Sequence, residues 1–184
     1  MKKLALSLMF CASAAFATTV TYTTAGVFTN SGTNTSTAGG ATLTFAGITT
    51  PDSADAPTFS SLGTITVSGT SPGIFSDTFT LTITQTVPSS GTGSSSSSVS
   101  GLITGSSSGI NLVFVPADVI IGSGATAVDY RFLNGSYGLA PPNSNGGVTS
   151  LQVQILALPE PATLGLMGMS LLGLGVLVRR RVKK

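Results

Sequence analysis

The side chains that most often perform catalysis are scarce in this sequence of 184 residues. It contains no histidine and no tryptophan, and its one cysteine is Cys11. A Ser-His-Asp triad, a Cys-His pair and the usual zinc sites all need histidine or cysteine, so the composition excludes them. Acidic residues can also perform catalysis, but none of those in this sequence lies in a recognisable catalytic motif. We therefore predict no catalytic residues and expect that the protein is not an enzyme. The acidic residues are Asp52, Asp55, Asp77, Asp118, Asp129 and Glu160.

Asp52 and Asp55 form a candidate cation site. They stand in the segment PDSAD, and two carboxylates on one loop would supply the hard oxygen ligands that Ca²⁺ prefers. Carboxylates also occur in loops because they form turns and are well hydrated there. We favour this second interpretation for Asp52, Asp55 and Asp77, and we predict neither a metal nor a cofactor.

Asp129 and Arg131 are two residues apart in an alternating segment, so their side chains are expected on the same face of a strand. An exposed ion pair of this kind stabilises a protein by only ~0.5 kcal/mol. A contact with a ligand is the alternative role. We favour the plain surface pair.

The three tyrosines are the aromatic residues that also carry a polar group, and sugar sites often combine an aromatic ring with amides and carboxylates. The segment from Asn134 to Asn143, which contains Tyr137, is the best candidate loop for such a site. Tyr22 and Tyr130 stand in alternating segments typical of strands. Roles in the core and in turns suffice to explain all three.

Charge limits the partners of the middle of the chain. Residues 18–158 hold five aspartates and one arginine, a formal charge of −4, whereas the other seven basic residues lie near the two ends. A domain of this charge repels polyanions. It has no basic patch for a nucleic acid, and we predict no nucleic-acid partner.

Apolar residues alternate with threonine and other polar residues through residues 18–158, a period of two that is typical of strands with one buried face. Clusters of Gly, Ser, Asn and Pro separate these runs, and no long helical period occurs there. We predict an all-β fold, an antiparallel β-sandwich of seven to ten strands. The alternating residues are Val20, Tyr22, Leu43, Phe45, Ile65, Val67, Phe79, Leu81, Ile83, Val87, Ile110, Leu112, Phe114, Val128, Tyr130, Phe132, Leu151, Val153 and Ile155.

The low-complexity segment from Gly91 to Ser98 interrupts this pattern. We predict a long hairpin loop there, the alternative being a flexible linker between two small domains. The following residues, 99–109, are so polar that they are not expected to form a strong strand.

The N-terminus has the order of features of a secretory signal peptide. Lys2 and Lys3 precede an apolar stretch from Leu4 to Ala15, and Ala15 and Ala17 supply the small residues that signal peptidase needs. We predict cleavage after Ala17, so that residues 1–17 are removed. The alternative is a buried N-terminal helix.

The C-terminal residues predict a membrane span. Ala162 to Val178 is a run of seventeen uncharged residues, about 26 Å of helix, and Arg179, Arg180 and Arg181 follow it. Cations stay on the cytoplasmic side, so the domain before the helix would face outward. Pro159 and Pro161 keep the preceding chain extended and place Glu160 at the outer boundary of the membrane.

This order of Leu158-Pro159-Glu160-Pro161-Ala162-Thr163, an apolar helix and an arginine cluster resembles the PEP-CTERM sorting signal. The resemblance covers residues 159–184 only. It implies a Gram-negative bacterium that makes exopolysaccharide, and processing at the tripeptide by exosortase, an integral-membrane cysteine transpeptidase. A permanent single-pass anchor is the alternative.

Together these features predict an exported protein that passes through the inner membrane to the cell surface or extracellular matrix. We expect a structural or adhesive role in an exopolysaccharide or biofilm setting, with exopolysaccharide as a partner. A carbohydrate-binding, lectin-like module is the alternative function.

Overall fold

The computed structural model describes residues 17–69, 71–133 and 136–158, together with Gly168. Within these residues no helix combines the length and the apolar character that a membrane crossing requires. The predicted signal peptide, apart from Ala17, and the predicted membrane span, apart from Gly168, lie outside the described residues. The strands are β1 (Thr18–Phe28), β2 (Thr35–Ala38), β3 (Ala41–Ala46), β4 (Asp52–Ala56), β5 (Thr58–Ser68), β6 (Gly73–Val87), β7 (Gly91–Ile103), β8 (Asn111–Leu112), β9 (Phe114–Val115), β10 (Asp118–Ile121), β11 (Val128–Phe132), β12 (Tyr137–Gly138) and β13 (Val148–Ala157).

The strands form two large sheets and one small pair. The five-stranded sheet has the order β4-β1-β6-β7-β9, the six-stranded sheet has the order β10-β11-β13-β5-β3-β2, and β12 pairs with β8. The pairings between the described strands are antiparallel, which confirms the predicted all-β antiparallel class. Among the described residues, ten strands have four or more residues, and three further strands have two residues each. The prediction of seven to ten strands missed these short ones.

The inner faces of the two large sheets share one apolar core. Phe79 of the five-stranded sheet lies at its centre, with its ring centroid 4.9 Å from that of Phe28 and 5.1 Å from that of Phe45 on the opposite sheet. Gly26 makes this packing possible, because a Cβ atom there would lie 2.5 Å from both the Phe45 and the Phe79 rings. The centre of the core is thus built from aromatic rings that meet over a glycine.

The residues that the two-residue period placed in the core are buried, with one exception, although the core also contains residues that the pattern did not name, such as Leu62 and Phe75. All the alternating apolar residues named above are buried except Val87, which is 43% exposed. The pairing of β1 with β6 shifts between Thr21 and Tyr22, so that Thr21 is opposite Val87 while Tyr22 is opposite Gln85. The extra residue in β6 moves Val87 to the outer face, as a β-bulge does.

The prediction of a hairpin loop over residues 91–98 is wrong, because this segment belongs to β7, which pairs with β6 from Gly91 to Ile103. The expectation that residues 99–109 form no strong strand is wrong for residues 99–103, whereas residues 104–109 lie outside the strands. Its inward positions carry small residues because β10 packs closely against them: a Cβ atom on Gly93 would lie 2.4 Å from Cγ1 of Val119. The first part of β7 therefore lacks the alternating large apolar side chains by which a strand is recognised in a sequence.

Candidate functional site

The predicted processing residues lie outside the described residues: Ala15, Pro159, Glu160, Pro161, Arg179, Arg180 and Arg181. The structure does describe the residues at the two ends of the β domain. Ala17 directly precedes β1, and β13 ends at Ala157. The Leu158 amide then donates a hydrogen bond of 3.0 Å to the carbonyl of Ala127. The backbone is therefore held in place up to the residue before the Pro-Glu-Pro tripeptide.

The loop position predicted for Asp52 and Asp55 is wrong. Both residues lie on β4, an edge strand that pairs with β1. Because they are three residues apart on a strand, their side chains point to opposite faces. Asp55 accepts a hydrogen bond of 2.8 Å from the Thr19 hydroxyl, and Asp52 accepts one of 2.9 Å from the Ser53 amide. The two carboxylates do not converge, and no group of three or more potential metal ligands occurs in the part of the chain that the structure describes.

The turn position predicted for Asp77 is also wrong. Asp77 is a buried residue in the middle of β6. Its Oδ1 accepts hydrogen bonds from the amides of Asn30 (3.0 Å) and Thr78 (2.7 Å), and its Oδ2 accepts one of 2.8 Å from the Ser36 hydroxyl. The carboxylate borders a cleft of about 340 Å³, with exposed Ile74 also lining it. Both oxygens of Asp77 are occupied by the protein, so this carboxylate holds the turn after β1 in place rather than offering a ligand site.

The tyrosines do not form a surface platform. Tyr22 and Tyr130 are fully buried and meet edge to face, with ring centroids 5.7 Å apart. The Tyr130 hydroxyl donates to Oε1 of Gln85 at 2.9 Å, and burial raises the pKa of both tyrosines. Tyr137 is half-buried, and its hydroxyl accepts from the Leu133 amide and donates to the carbonyl of Gln152. The core role is confirmed for Tyr22 and Tyr130, whereas Tyr137 lies on β12 rather than in a turn. Asn134, the first residue of the candidate sugar-binding loop, lies outside the described residues.

Asp129 and Arg131 lie on the same face of β11, as predicted, but they are not a plain exposed pair. Asp129 is only 3% exposed, whereas half of the Arg131 side chain is exposed. Arg131 bridges two carboxylates: Nη2 lies 3.0 Å from Oδ2 of Asp129, and Nε lies 3.1 Å from Oδ1 of Asp118 on the neighbouring strand. The other oxygen of Asp129 has no hydrogen-bond partner among the described residues. The guanidinium is therefore fixed in orientation by acidic groups on two sides.

The buried carboxylate of Asp129 predicts a stability that depends on pH. Burial, together with the nearby Asp118, raises the pKa of Asp129 above its ordinary value of 3.8, although Arg131 opposes the shift. The folded protein then holds this proton more tightly than the unfolded chain, so Asp129 makes the protein less stable as the pH rises from about 4 through the raised pKa. We expect Asp129→Asn to remove this loss, as measured by urea unfolding between about pH 4 and pH 8. Asp118→Asn should reduce it by a smaller amount, and an unchanged slope in Asp129→Asn would contradict the assignment.

Phe59 was not singled out by the sequence patterns. It lies on β5 of the six-stranded sheet and is 64% exposed, whereas the other phenylalanines and tyrosines that the structure describes are buried or half-buried. The strand register places Phe59 opposite Gln154, Gln154 opposite Arg131, and Arg131 opposite Asp118. Directly paired residues point to the same side of a sheet. We call these four residues, Phe59, Gln154, Arg131 and Asp118, the Phe59 row.

The Phe59 row crosses four neighbouring strands on the outer face of the six-stranded sheet, in the order β5-β13-β11-β10. With strands spaced about 4.8 Å apart, the row is about 14 Å long. It carries, in sequence, an aromatic ring, an amide, a guanidinium and a carboxylate. These groups can stack on an apolar surface at one end and exchange hydrogen bonds with hydroxyl groups along the rest.

The comparison with known families concerns the tail. Residues 157–181 match the PEP-CTERM protein-sorting motif, which confirms the resemblance drawn from the tripeptide, the apolar segment and the arginines. The motif implies processing by exosortase, a membrane enzyme, and export to the cell surface. Neither a curated protein nor a solved structure matches the chain.

Proposed function

We propose that this chain is a structural or adhesive component of the cell surface or the exopolysaccharide matrix, delivered there by its sorting tail. The observation that carries the proposal is the place where the tail begins. The sorting motif starts at residue 157, and β13 ends at that same residue. Cleavage at the tripeptide therefore removes none of the thirteen strands that the structure describes, so the released domain keeps its core.

In this proposal the two ends of the chain act in turn. The signal peptide starts export, and the apolar segment from Ala162 to Val178 stops it in the inner membrane. The arginines hold the C-terminus on the cytoplasmic side. Pro159-Glu160-Pro161 is then presented outside, where exosortase cleaves the chain and releases the domain or transfers it to an acceptor.

The surface of the domain suits a passive role in a hydrated matrix. Most of the outer face formed by β1, β6 and β7 carries uncharged hydroxyl groups, with Ile74 and Leu102 exposed at one end of it. Thr80 and Ser96, on neighbouring strands, share a hydrogen bond of 2.9 Å within this face. Threonine favours strands through its β-branch and keeps the face wet through its hydroxyl. The residues of this hydroxyl face on β1, β6 and β7 are Thr19, Thr21, Thr23, Ser76, Thr78, Thr80, Thr82, Thr84, Thr92, Ser94, Ser96, Ser98 and Ser100.

The structural role is tested in cells that make the protein. We expect wild-type protein in the extracellular matrix fraction, and we expect cells that lack it to form a less cohesive matrix, measured as biomass released by a defined shear. A chain without residues 159–184 is the control: it should be exported but should not restore cohesion. Wild-type protein confined to the periplasm, or a deletion with unchanged cohesion, would contradict the proposal.

A carbohydrate-binding module is the second candidate. The observation that favours it is the Phe59 row, in which an exposed ring stands beside polar groups able to bind hydroxyls. Such binding would also give an adhesive protein its means of attachment. The carbohydrate-binding function differs from a purely structural role because it predicts saturable binding of a defined glycan.

A further inference from the structure

We propose that the Phe59 row is a binding site for an uncharged polysaccharide. One sugar ring stacks on Phe59, and hydroxyl groups of the same chain bind Gln154, Arg131 and Asp118. This inference rests on the second candidate function and names both its site and its ligand class.

Phe59 presents an apolar surface that a sugar ring can cover. Phe59 has no polar group, so 64% exposure leaves its apolar face in water without compensation. The C–H face of a sugar ring is apolar, and covering the phenyl ring with it removes apolar area from water. The ring is open to a ligand on the side away from β13, because β3 pairs with β5 only at residues 64–68.

The polar groups beside the Phe59 ring have free hydrogen-bonding capacity for sugar hydroxyls. The two ion pairs of Arg131 use Nε and Nη2, and a guanidinium carries five N–H donors, so donors remain to bind sugar hydroxyls. Asp118 is half exposed and offers acceptor lone pairs. The side chain of Gln154 has no hydrogen-bond partner among the described residues, so both its donor and its acceptor are available. Donors and acceptors at intervals of about 4.8 Å across the strands can bind hydroxyl groups spaced along one glycan chain.

The charge of this surface selects the class of ligand. Arg131 is the one basic residue between residues 18 and 158, and Asp118 and Asp129 both pair with it. The three charges together are negative, and so is the whole domain, at −4. An anionic polysaccharide would be repelled by this surface, whereas a neutral one meets no such repulsion. The ligand is therefore an uncharged glycan rather than a polyuronate.

The experiment uses the full-length chain in a nonionic detergent and four soluble polysaccharides. Dextran, mixed-linkage β-glucan and galactomannan are the neutral probes, and polygalacturonate is the acidic one. We expect at least one neutral probe to bind saturably and polygalacturonate not to bind, as measured by affinity electrophoresis. Phe59→Ala should weaken binding about tenfold, and Gln154→Ala about threefold.

Ile74→Ala is the matched control. Ile74 is 76% exposed, lies on the other sheet and is also apolar, so its removal should leave affinity unchanged. The proposal is overturned if no neutral probe binds, if the acidic probe binds best, or if Phe59→Ala and Ile74→Ala behave alike. It is also overturned if sedimentation shows a dimer that Phe59→Ala dissociates, because a second copy would then be the occupant. A failure of sorting would appear in cell fractions and would leave this binding measurement unchanged.

Discussion

Replacing Pro159, Glu160 and Pro161 with alanines should leave the full-length protein in the inner membrane of the cell. The wild-type surface form should begin near Thr18 and lack the residues from Ala162 to Lys184. The reason is that the prolines keep the chain extended at the outer boundary, while alanine allows helix to continue through the tripeptide and also removes the carboxylate. Mass spectrometry of protein recovered from membrane and matrix fractions measures both outcomes.

A charge-preserving change tests whether the effect belongs to the tripeptide. Replacing Arg179, Arg180 and Arg181 together with lysine keeps three cations on the cytoplasmic side, so orientation and processing should persist. If the wild-type protein at the surface instead keeps Arg179 to Lys184, the tail is a permanent anchor. That result would remove the sorting step from the proposed function.

Phe79→Ala should destabilise the folded domain by about 3–5 kcal/mol, a large part of the stability of an ordinary domain. The Phe79 side chain is fully buried between Phe28 and Phe45, and its ring also lies 6.2 Å from that of Phe114. Removing it leaves a cavity that rings on two sheets cannot fill without moving the backbone. Urea unfolding of the full-length chain in detergent, followed by circular dichroism, gives the change in free energy.

Phe59→Ala is the same chemical change at an exposed position and serves as the control. We expect it to alter the free energy of unfolding by no more than about 0.5 kcal/mol, because surface substitutions away from caps and networks have small effects. Equal losses for the two variants would mean that Phe59 is covered in solution. This pair therefore also establishes that a binding defect in Phe59→Ala is not a folding defect.

Local patterns in the sequence, together with its composition, were sufficient for three conclusions. The sorting tail is defined by a tripeptide, an apolar run and a charge cluster in order along the chain, and each of these is visible without a fold. The strands with large alternating residues, such as Leu81 and Ile83 in β6, are equally local, because side chains on a strand alternate between faces whatever the strand pairs with. The absence of histidine likewise excludes whole classes of chemistry, whichever fold the chain adopts.

Where a residue's role depends on a partner far along the chain, the sequence was not sufficient. Gly91 to Ser98 has the composition of a loop, and it is a strand only because β6 pairs with it on one side and β10 packs over its glycines. Asp77 has the neighbours of a turn residue, yet donors from Asn30 and Ser36, more than forty positions away, make its burial possible. Strand pairing and hydrogen bonds between residues so far apart in the sequence cannot be recognised from the neighbouring residues of either partner.

The Phe59 row shows most clearly what only the tertiary structure decides. Counting by two from Ile65 and Val67 would put Phe59 on the buried face of β5. The pairing of β5 with β13 shifts between Ser150 and Gln152, and Gly63 adopts a φ of +127°, a conformation that favours glycine. Because of this irregularity, the residues of β5 that precede Gly63 point to the opposite sides of the sheet from those that the count by two gives. Phe59 therefore points outward, beside residues from three other strands. A one-residue shift in register exchanges the two faces of a strand, and that shift is set by pairing across the sheet rather than by the residues of the strand itself.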